Sequence, residues 1–359
     1  MDGNAIILTH GLLNLDFAKT AHGLIRGTER YNILGIIDHK FAGLELRDLL
    51  GGETPSIPIY DSLGAALNGI EEKIDYFIIG LAFAGGKLPK EVIPIIKAAI
   101  QSGMSIVNGL HQFLCDMPEI AALAKACDVN LIDVRKPKPK SDLHYWTGKI
   151  RQVKTPKIVV LGTDCAIGKR TTCTLLNEAA RMVGLRSEMI YTGQTGWMLG
   201  NKYGFILDAT VNDFITGELE HALVTCAREA DPQMIFIEGQ SALRNPIGPC
   251  GSEFLTSGQA NGVILQHKPS REYYHDTEEM PVMIPSLQSE VELIKMFGVE
   301  TLAIALNGEG LSKAQAMRYK HEYAEELGIP VVFPLEEGVD TLIEMLCVKY
   351  RLKIEKEFV

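Results

Sequence analysis

Short aliphatic runs alternate with stretches of helical periodicity along the whole chain. In the first third the runs cover 5–8, 32–38, 76–82, 105–110 and 130–134. Each is strand-length and each spacer is helix-length, which predicts a parallel sheet built from strand–helix–strand units. A Rossmann-like domain is therefore expected over residues 1–144. The alternation restarts with runs at 157–162, 188–193, 233–239, 262–267, 301–308 and 329–335, predicting a second parallel α/β sheet over residues 145–359. Between them lies Arg135-Lys-Pro-Lys-Pro-Lys140, where alternating Pro and Lys favour an extended connector over ladder or helix.

Composition adjusts this picture only slightly. A chain of 359 residues with 46% apolar and 22% charged residues suits two soluble globular domains. The formal charge of −10 and the lack of a long basic block argue against a nucleic-acid partner. The first residues lack the features of a signal peptide, and no apolar run reaches spanning length, so a cytoplasmic protein without membrane contact is expected. Cysteines 115, 127, 165, 173, 226, 250 and 347 show no metal-site spacing and read as reduced thiols, mostly in the core. No metal ligand set is expected. Parallel α/β domains of this size commonly associate, which favours a homo-oligomer.

The chemistry concentrates after the first strand of the second sheet. Ile158, Val159 and Val160 run into Gly162, Thr163, Asp164, Cys165, Ala166, Ile167, Gly168 and Lys169, and an amphipathic helix follows. A loop so placed aims backbone N–H groups and the helix start at one spot, where an anion is stabilised. Lys169 supplies a point charge, and Gly168 allows close backbone approach. Five residues rather than four separate the glycines, and Arg170 stands where a metal-holding hydroxyl is usual. Thr171 lies about 100° further round the helix, with Thr172 beyond it. Arg170 instead offers a bidentate donor, suiting a diphosphate held without an obligatory metal.

Glu238, closing the run Ile235-Phe-Ile-Glu-Gly-Gln240, is the first catalytic candidate, either as a metal contact or as a general base; a loop or helix cap is the structural alternative. Asp213 is the second acid, and Gln194, Thr195 and Gln240 are expected to face the same crevice as substrate contacts, since ligands sit at strand carboxyl ends. Asn307 could read a base edge or simply make a turn. His267 and His275 read as hydrogen-bonded structural histidines. In the first domain the Gly-rich dinucleotide fingerprint is missing. Asp38 could meet a ribose, although a solvated strand-end acid is commoner, and the Ala84-Gly85-Gly86-Lys87 loop reads as a turn.

The Gly-Thr-Asp loop with its five-residue spacing resembles dethiobiotin synthetase and its P-loop relatives, over the second domain. Across nearly the whole chain, the ordered motifs Asp133-Val-Arg-Lys-Pro137, the loop 162–172, Tyr191-Thr-Gly-Gln-Thr-Gly196, 211–220 and 237–246 resemble the D-glutamate N-acetyltransferases, long grouped as a P-loop domain of unknown function. That resemblance implies transfer of acetyl from acetyl-CoA to the amine of D-glutamate or a related amino acid, with the CoA phosphates in the P-loop. Glu238 or Asp213 would then be the base, and loop N–H groups or Gln240 the oxyanion donors. The alternatives are an ATP- and Mg²⁺-dependent ligase or kinase and, ranked last, a non-catalytic nucleotide switch.

Overall fold

A computed structural model describes residues 1–50, 54–82, 86–277 and 279–353. Ala84 and Gly85, part of the turn expected from the sequence, lie outside the described residues. The chain divides into two compact units, Met1–Lys138 with Gln194–Asn201, and Pro139–Gly193 with Lys202–Val359. The aliphatic runs alone suggest a division at 144/145 and carry no sign of the returning segment.

The first unit holds a six-stranded sheet of β1 (Gly3–Leu8), β2 (Tyr31–Ile37), β3 (Ile59–Tyr60), β4 (Tyr76–Ile79), β5 (Ser105–Asn108) and β6 (Leu131–Asp133). The order is β3-β2-β1-β4-β5-β6, every pairing parallel, as in dinucleotide-binding sheets. Period-two alternation sorts the side chains: Ile6, Leu8, Phe77 and Ile106 face one core, whereas Ala5, Ile7, Ile78 and Val107 face the other. Both faces are buried, so the strands read as continuous apolar runs. The segment Gln194–Asn201 contributes Met198, fully buried, to the second of these cores.

The strand-end acid of this unit does not await a ribose. Asp38 is fully buried. One carboxylate oxygen accepts from the Thr9 hydroxyl (2.6 Å) and from the N–H groups of Gly11 (3.0 Å) and Leu13 (3.2 Å), while the other accepts from Lys40 N–H (3.1 Å). Asp38 thereby fixes the loop after β1, a structural role distinct from both the ribose contact and the solvated acid.

The second unit holds seven parallel strands: β7 (Lys157–Gly162), β8 (Ser187–Tyr191), β9 (Tyr203–Gly204), β10 (Met234–Glu238), β11 (Gly262–His267), β12 (Thr301–Leu306) and β13 (Val331–Val332). The order is β13-β12-β11-β7-β10-β8-β9, which puts β7 mid-sheet between β11 and β10. Two-residue β9 is too short to register as an apolar run. Ile158, Val160, Phe236 and Ile264 face one core, whereas Val159, Leu161, Ile235 and Val263 face the other. The helix Lys169–Met182 buries Cys173, Leu176 and Ala180 on the first of these faces, a spacing of three and four residues that is one helical stripe. It stops at Val183, and Gly184 follows at φ +86°.

The motif at 211–220 is accounted for by how the chain enters this unit. In the helix Asn212–Ala230, buried Glu218 accepts from the backbone N–H and Nδ1 of His144, and buried Glu220 accepts from the N–H groups of Thr147 and Ile150 and the Thr147 hydroxyl. A Cβ at Gly217 would overlap the His144 carbonyl, so only glycine lets the strap lie this close. Thiols are less uniformly internal than expected: Cys173, Cys226 and Cys347 are buried, while the other four are half-buried, and all are free.

Candidate functional site

Because the sheet is parallel, β7 and β10 release their chains at the same edge, bringing the loop Gly162–Gly168 beside Glu238. Gly168 caps the helix Lys169–Met182 at φ +107° with no side-chain cap. The first-turn N–H groups are thus left for an anion rather than for a Ser or Asp oxygen. Ala166 also sits at φ +51°, a left-handed conformation that is uncommon for a residue with a Cβ and is stored where the surroundings enforce it.

What enforces the loop is Asp164. This side chain is fully buried, and its carboxylate accepts from Cys165 N–H (2.6 Å), Asn245 Nδ2 (3.1 Å), His275 N–H (2.9 Å) and Arg271 Nη1 (2.9 Å). Arg271 also reaches the Cys165 carbonyl (2.7 Å). Asp164 therefore holds the loop from behind, and any contact it makes with a ligand runs through its backbone. Thr163 behaves similarly: its hydroxyl pairs with His267 Nδ1 (2.9 Å). His267 Nε2 lies 3.3 Å from the Tyr323 hydroxyl.

Burial pushes the His267 pKa down to about 4. The unfolded chain, with an ordinary imidazole near pH 6.5, then binds a proton that the native state refuses between those values, so stability falls as pH drops from about 6.5 to 4. The loss is on the order of 3 kcal/mol at the acid end. Urea midpoints measured across this window should lose that slope in His267→Gln; an unchanged slope would assign it elsewhere.

Lys169 is nearly fully buried, and its ammonium donates to the carbonyls of Asp164 (2.5 Å) and Ser241 (2.8 Å). Burial lowers its pKa, with nearby acidic groups opposing. The same burial raises the pKa of Glu238, against the opposing charge of Arg170, the Thr192 N–H and the charge of Lys169. A cation and a carboxylate are thus both biased towards neutrality within one site, a pattern associated with proton transfer. Arg170 is half-buried and close enough to act on Glu238 through its charge.

Around Glu238 the structure assembles a small polar cluster. Thr192 donates its N–H to the carboxylate (3.1 Å) and its hydroxyl to the Glu238 carbonyl (2.7 Å), and Gln240 Nε2 donates to that hydroxyl (3.1 Å). A Cβ on Gly239 would overlap the Val160 carbonyl, which accounts for that glycine, and one on Gly193 would lie 2.9 Å from the Gln240 amide. Thr192 is buried and central, yet in sequence it stands out less than the residues just beyond it, and it was missed there.

The remaining candidates separate. Thr172 donates its hydroxyl to Gln266 Oε1 (2.6 Å), leaving the half-buried Thr171 as the other hydroxyl of that turn. Asn307 Nδ2 donates to the Ile167 carbonyl (3.2 Å), bracing the loop. The Cys165 thiol lies 3.4 Å from the Ser241 hydroxyl. Asp213 is exposed in the first turn of its helix, where the dipole favours an acid whatever its chemistry. Gln194 and Thr195 are buried within the first unit: Gln194 Oε1 accepts from Arg135 Nη2 (2.9 Å), and the Thr195 hydroxyl lies 3.4 Å from that of Thr20. Ser241 and Asn245 lie within the 237–246 motif without standing out in it, and Gln266 and Arg271 are contributors that no local motif announces.

A mid-sheet strand, a glycine-ended loop and an uncapped helix carrying Lys169 define a P-loop NTPase-like α/β unit, here preceded in the chain by a Rossmann-like one. The chain belongs to the family described as domain of unknown function DUF1611, whose P-loop domain matches residues 144–343; the family's Rossmann-like N-terminal domain matches residues 39–137. It is 31% identical over 278 residues to a D-glutamate N-acetyltransferase of a Pseudoalteromonas species, covering 76% of this chain and 81% of that one. A D-glutamate N-acetyltransferase of Tritonibacter scottomollicae is 29% identical over 276 residues, covering 75% and 80%. The crystal structure of a DUF1611 family protein from Anabaena variabilis superposes with a TM-score of 0.87 at 30% identity, covering 96% of this chain and 99% of that one. Among the described residues no helix is long and apolar enough to cross a membrane.

Proposed function

We propose that this protein is an N-acetyltransferase that moves acetyl from acetyl-CoA to the amine of D-glutamate or a related amino acid, with CoA phosphates over the loop Gly162–Gly168. The observation that carries the reading is the similarity to the Pseudoalteromonas enzyme across most of both chains. The donor set fits a phosphate group: an uncapped helix start, the Lys169 ammonium and the Arg170 guanidinium belong to one loop and the turn that follows it. It fits a metal less well, since Arg170 occupies the usual hydroxyl position and the Thr172 hydroxyl is held by Gln266.

Acetyl-CoA, when bound, supplies an acyl group already activated as a thioester. The chain's own task is to hold it and to handle a proton. Glu238, raised in pKa by burial, accepts the proton that the acceptor ammonium must lose before its nitrogen can attack. Thr192 keeps that carboxylate oriented, and Gln240 offers an amide donor beside it.

The competing reading, an ATP- and Mg²⁺-dependent ligase or kinase, draws on the same loop and on the acid at the end of β10. Thermal unfolding with each ligand separates the two, because a ligand that binds the native state raises the midpoint. Acetyl-CoA without Mg²⁺ is expected to raise it and ATP with Mg²⁺ to leave it unchanged; the reverse would overturn the proposal. Lys169→Ala should abolish the acetyl-CoA response, and an undiminished response in that variant would remove the loop from the mechanism.

A further inference from the structure

The first unit carries a cavity of about 450 Å³ at the carboxyl ends of β1 to β3, the edge where open parallel sheets bind ligands. Its walls include Ile37, Leu63 and Ile95, and its polar groups include His10, His39 and Asp61. These come from four separate stretches of chain, so the cavity is a product of the tertiary fold rather than of one loop.

The loop bearing His10 is held rigid. Asp38 ties it down through Thr9, Gly11 and Leu13, and His10 itself sits at φ +49°, a conformation that a residue with a Cβ rarely adopts. His39 lies so close over Gly11 that a Cβ there would come within 2.8 Å of the ring. The two imidazoles meet edge to face, 5.3 Å between centroids. Neither ring nitrogen of either residue is engaged in a hydrogen bond among the described residues. Asp61 accepts the Ser62 hydroxyl (2.7 Å), and Ser62 in turn caps the following helix by accepting from Ala65 N–H (3.2 Å), which fixes the acid at the rim.

A dinucleotide is a poor match for this cavity. The acid that would grip its ribose is consumed by the loop, and the glycine fingerprint that would admit its diphosphate is missing. The rim instead carries groups of both polarities over an aliphatic floor: two imidazoles able to donate to an anion and one carboxylate able to accept from a cation. We propose that this cavity binds an α-amino acid with an apolar side chain, the carboxylate on His10 and His39, the ammonium on Asp61, and the side chain against Ile37, Leu63 and Ile95. The volume admits a side chain as large as an aromatic ring together with water.

Calorimetric titration of the full chain with both enantiomers of phenylalanine and leucine, with 3-phenylpropionate and with 2-phenylethylamine tests this. At least one of the amino acids should bind. The probe lacking the ammonium and the probe lacking the carboxylate should each bind phenylalanine's site at least about tenfold more weakly if phenylalanine is the occupant, as expected for loss of a charge-assisted hydrogen bond. Asp61→Asn should weaken the bound amino acid about tenfold and leave 3-phenylpropionate unchanged, while His39→Ala should weaken both. Far-UV circular dichroism and the urea midpoint, read in parallel, report that each variant is folded. No binding by any of the four amino acids up to about 10 mM, or an amino-acid affinity indifferent to Asp61→Asn and His39→Ala, would overturn the proposal.

Discussion

Replacing Glu238 by Gln is expected to lower acetyl transfer by about 10²- to 10⁴-fold, the range typical of a lost general base. Acetyl-CoA affinity should change little, because the proposed reading puts the phosphates on the loop and the helix start. The substitution keeps the side chain's shape and can retain an acceptor for the Thr192 N–H, so packing is preserved. The wild-type rate should rise with pH through an inflection above the ordinary Glu range, since burial raises this carboxyl's pKa and only its deprotonated form accepts a proton. Rates followed by mass detection of the N-acetylated amino acid would decide the matter. A Glu238→Gln enzyme within a few-fold of wild type would remove Glu238 from the chemistry.

Asp164→Ala should be the most destabilising single change in the loop. It strips the counter-charge from Arg271, whose side chain is only 14% exposed, and the acceptor from Asn245 and from two backbone N–H groups. Breaking a buried pair from one side costs about 3–5 kcal/mol. Arg271→Ala should approach that value from the other side, leaving Asp164 with its charge buried. Unfolding in urea should show the double variant losing clearly less than the sum of the two, because neither partner is then stranded. Strict additivity would mean that the pair does not act as a unit.

Both sheets and the phosphate loop were legible because each is written locally: a buried parallel strand is a continuous aliphatic run, and the loop joins such a run to a helical stripe. The position of Glu238 at the end of its strand, as distinct from its role, was legible for the same reason. Asp164 and Asp38 show where local reading stops. Each looks like a group awaiting a ligand, and each proves to be the internal fastener of its own loop, because its partners come from far along the chain: Arg271 and His275 for the one, Thr9 and Leu13 for the other. Gln194 and Thr195 pair with Arg135 and Thr20, partners that local sequence does not show. They follow a strand of the second sheet, and the chain has already crossed to the first unit when it reaches them. Gly217 and Glu218, recognisable beforehand only as part of an ordered motif, gain meaning once the strap 144–150 is seen to lie against their helix.

The return of Met198 to the first unit's core bears on how the protein is made. On the ribosome, a nascent chain ending at residue 138 has all six strands of the first sheet but lacks a residue that its interior is packed around. That interior is complete only after residues 194–201 emerge, by which time β7, the phosphate loop and β8 have already been synthesised. No single cut therefore yields two self-sufficient halves: a fragment ending at the proline-rich connector would carry a hole where Met198 belongs.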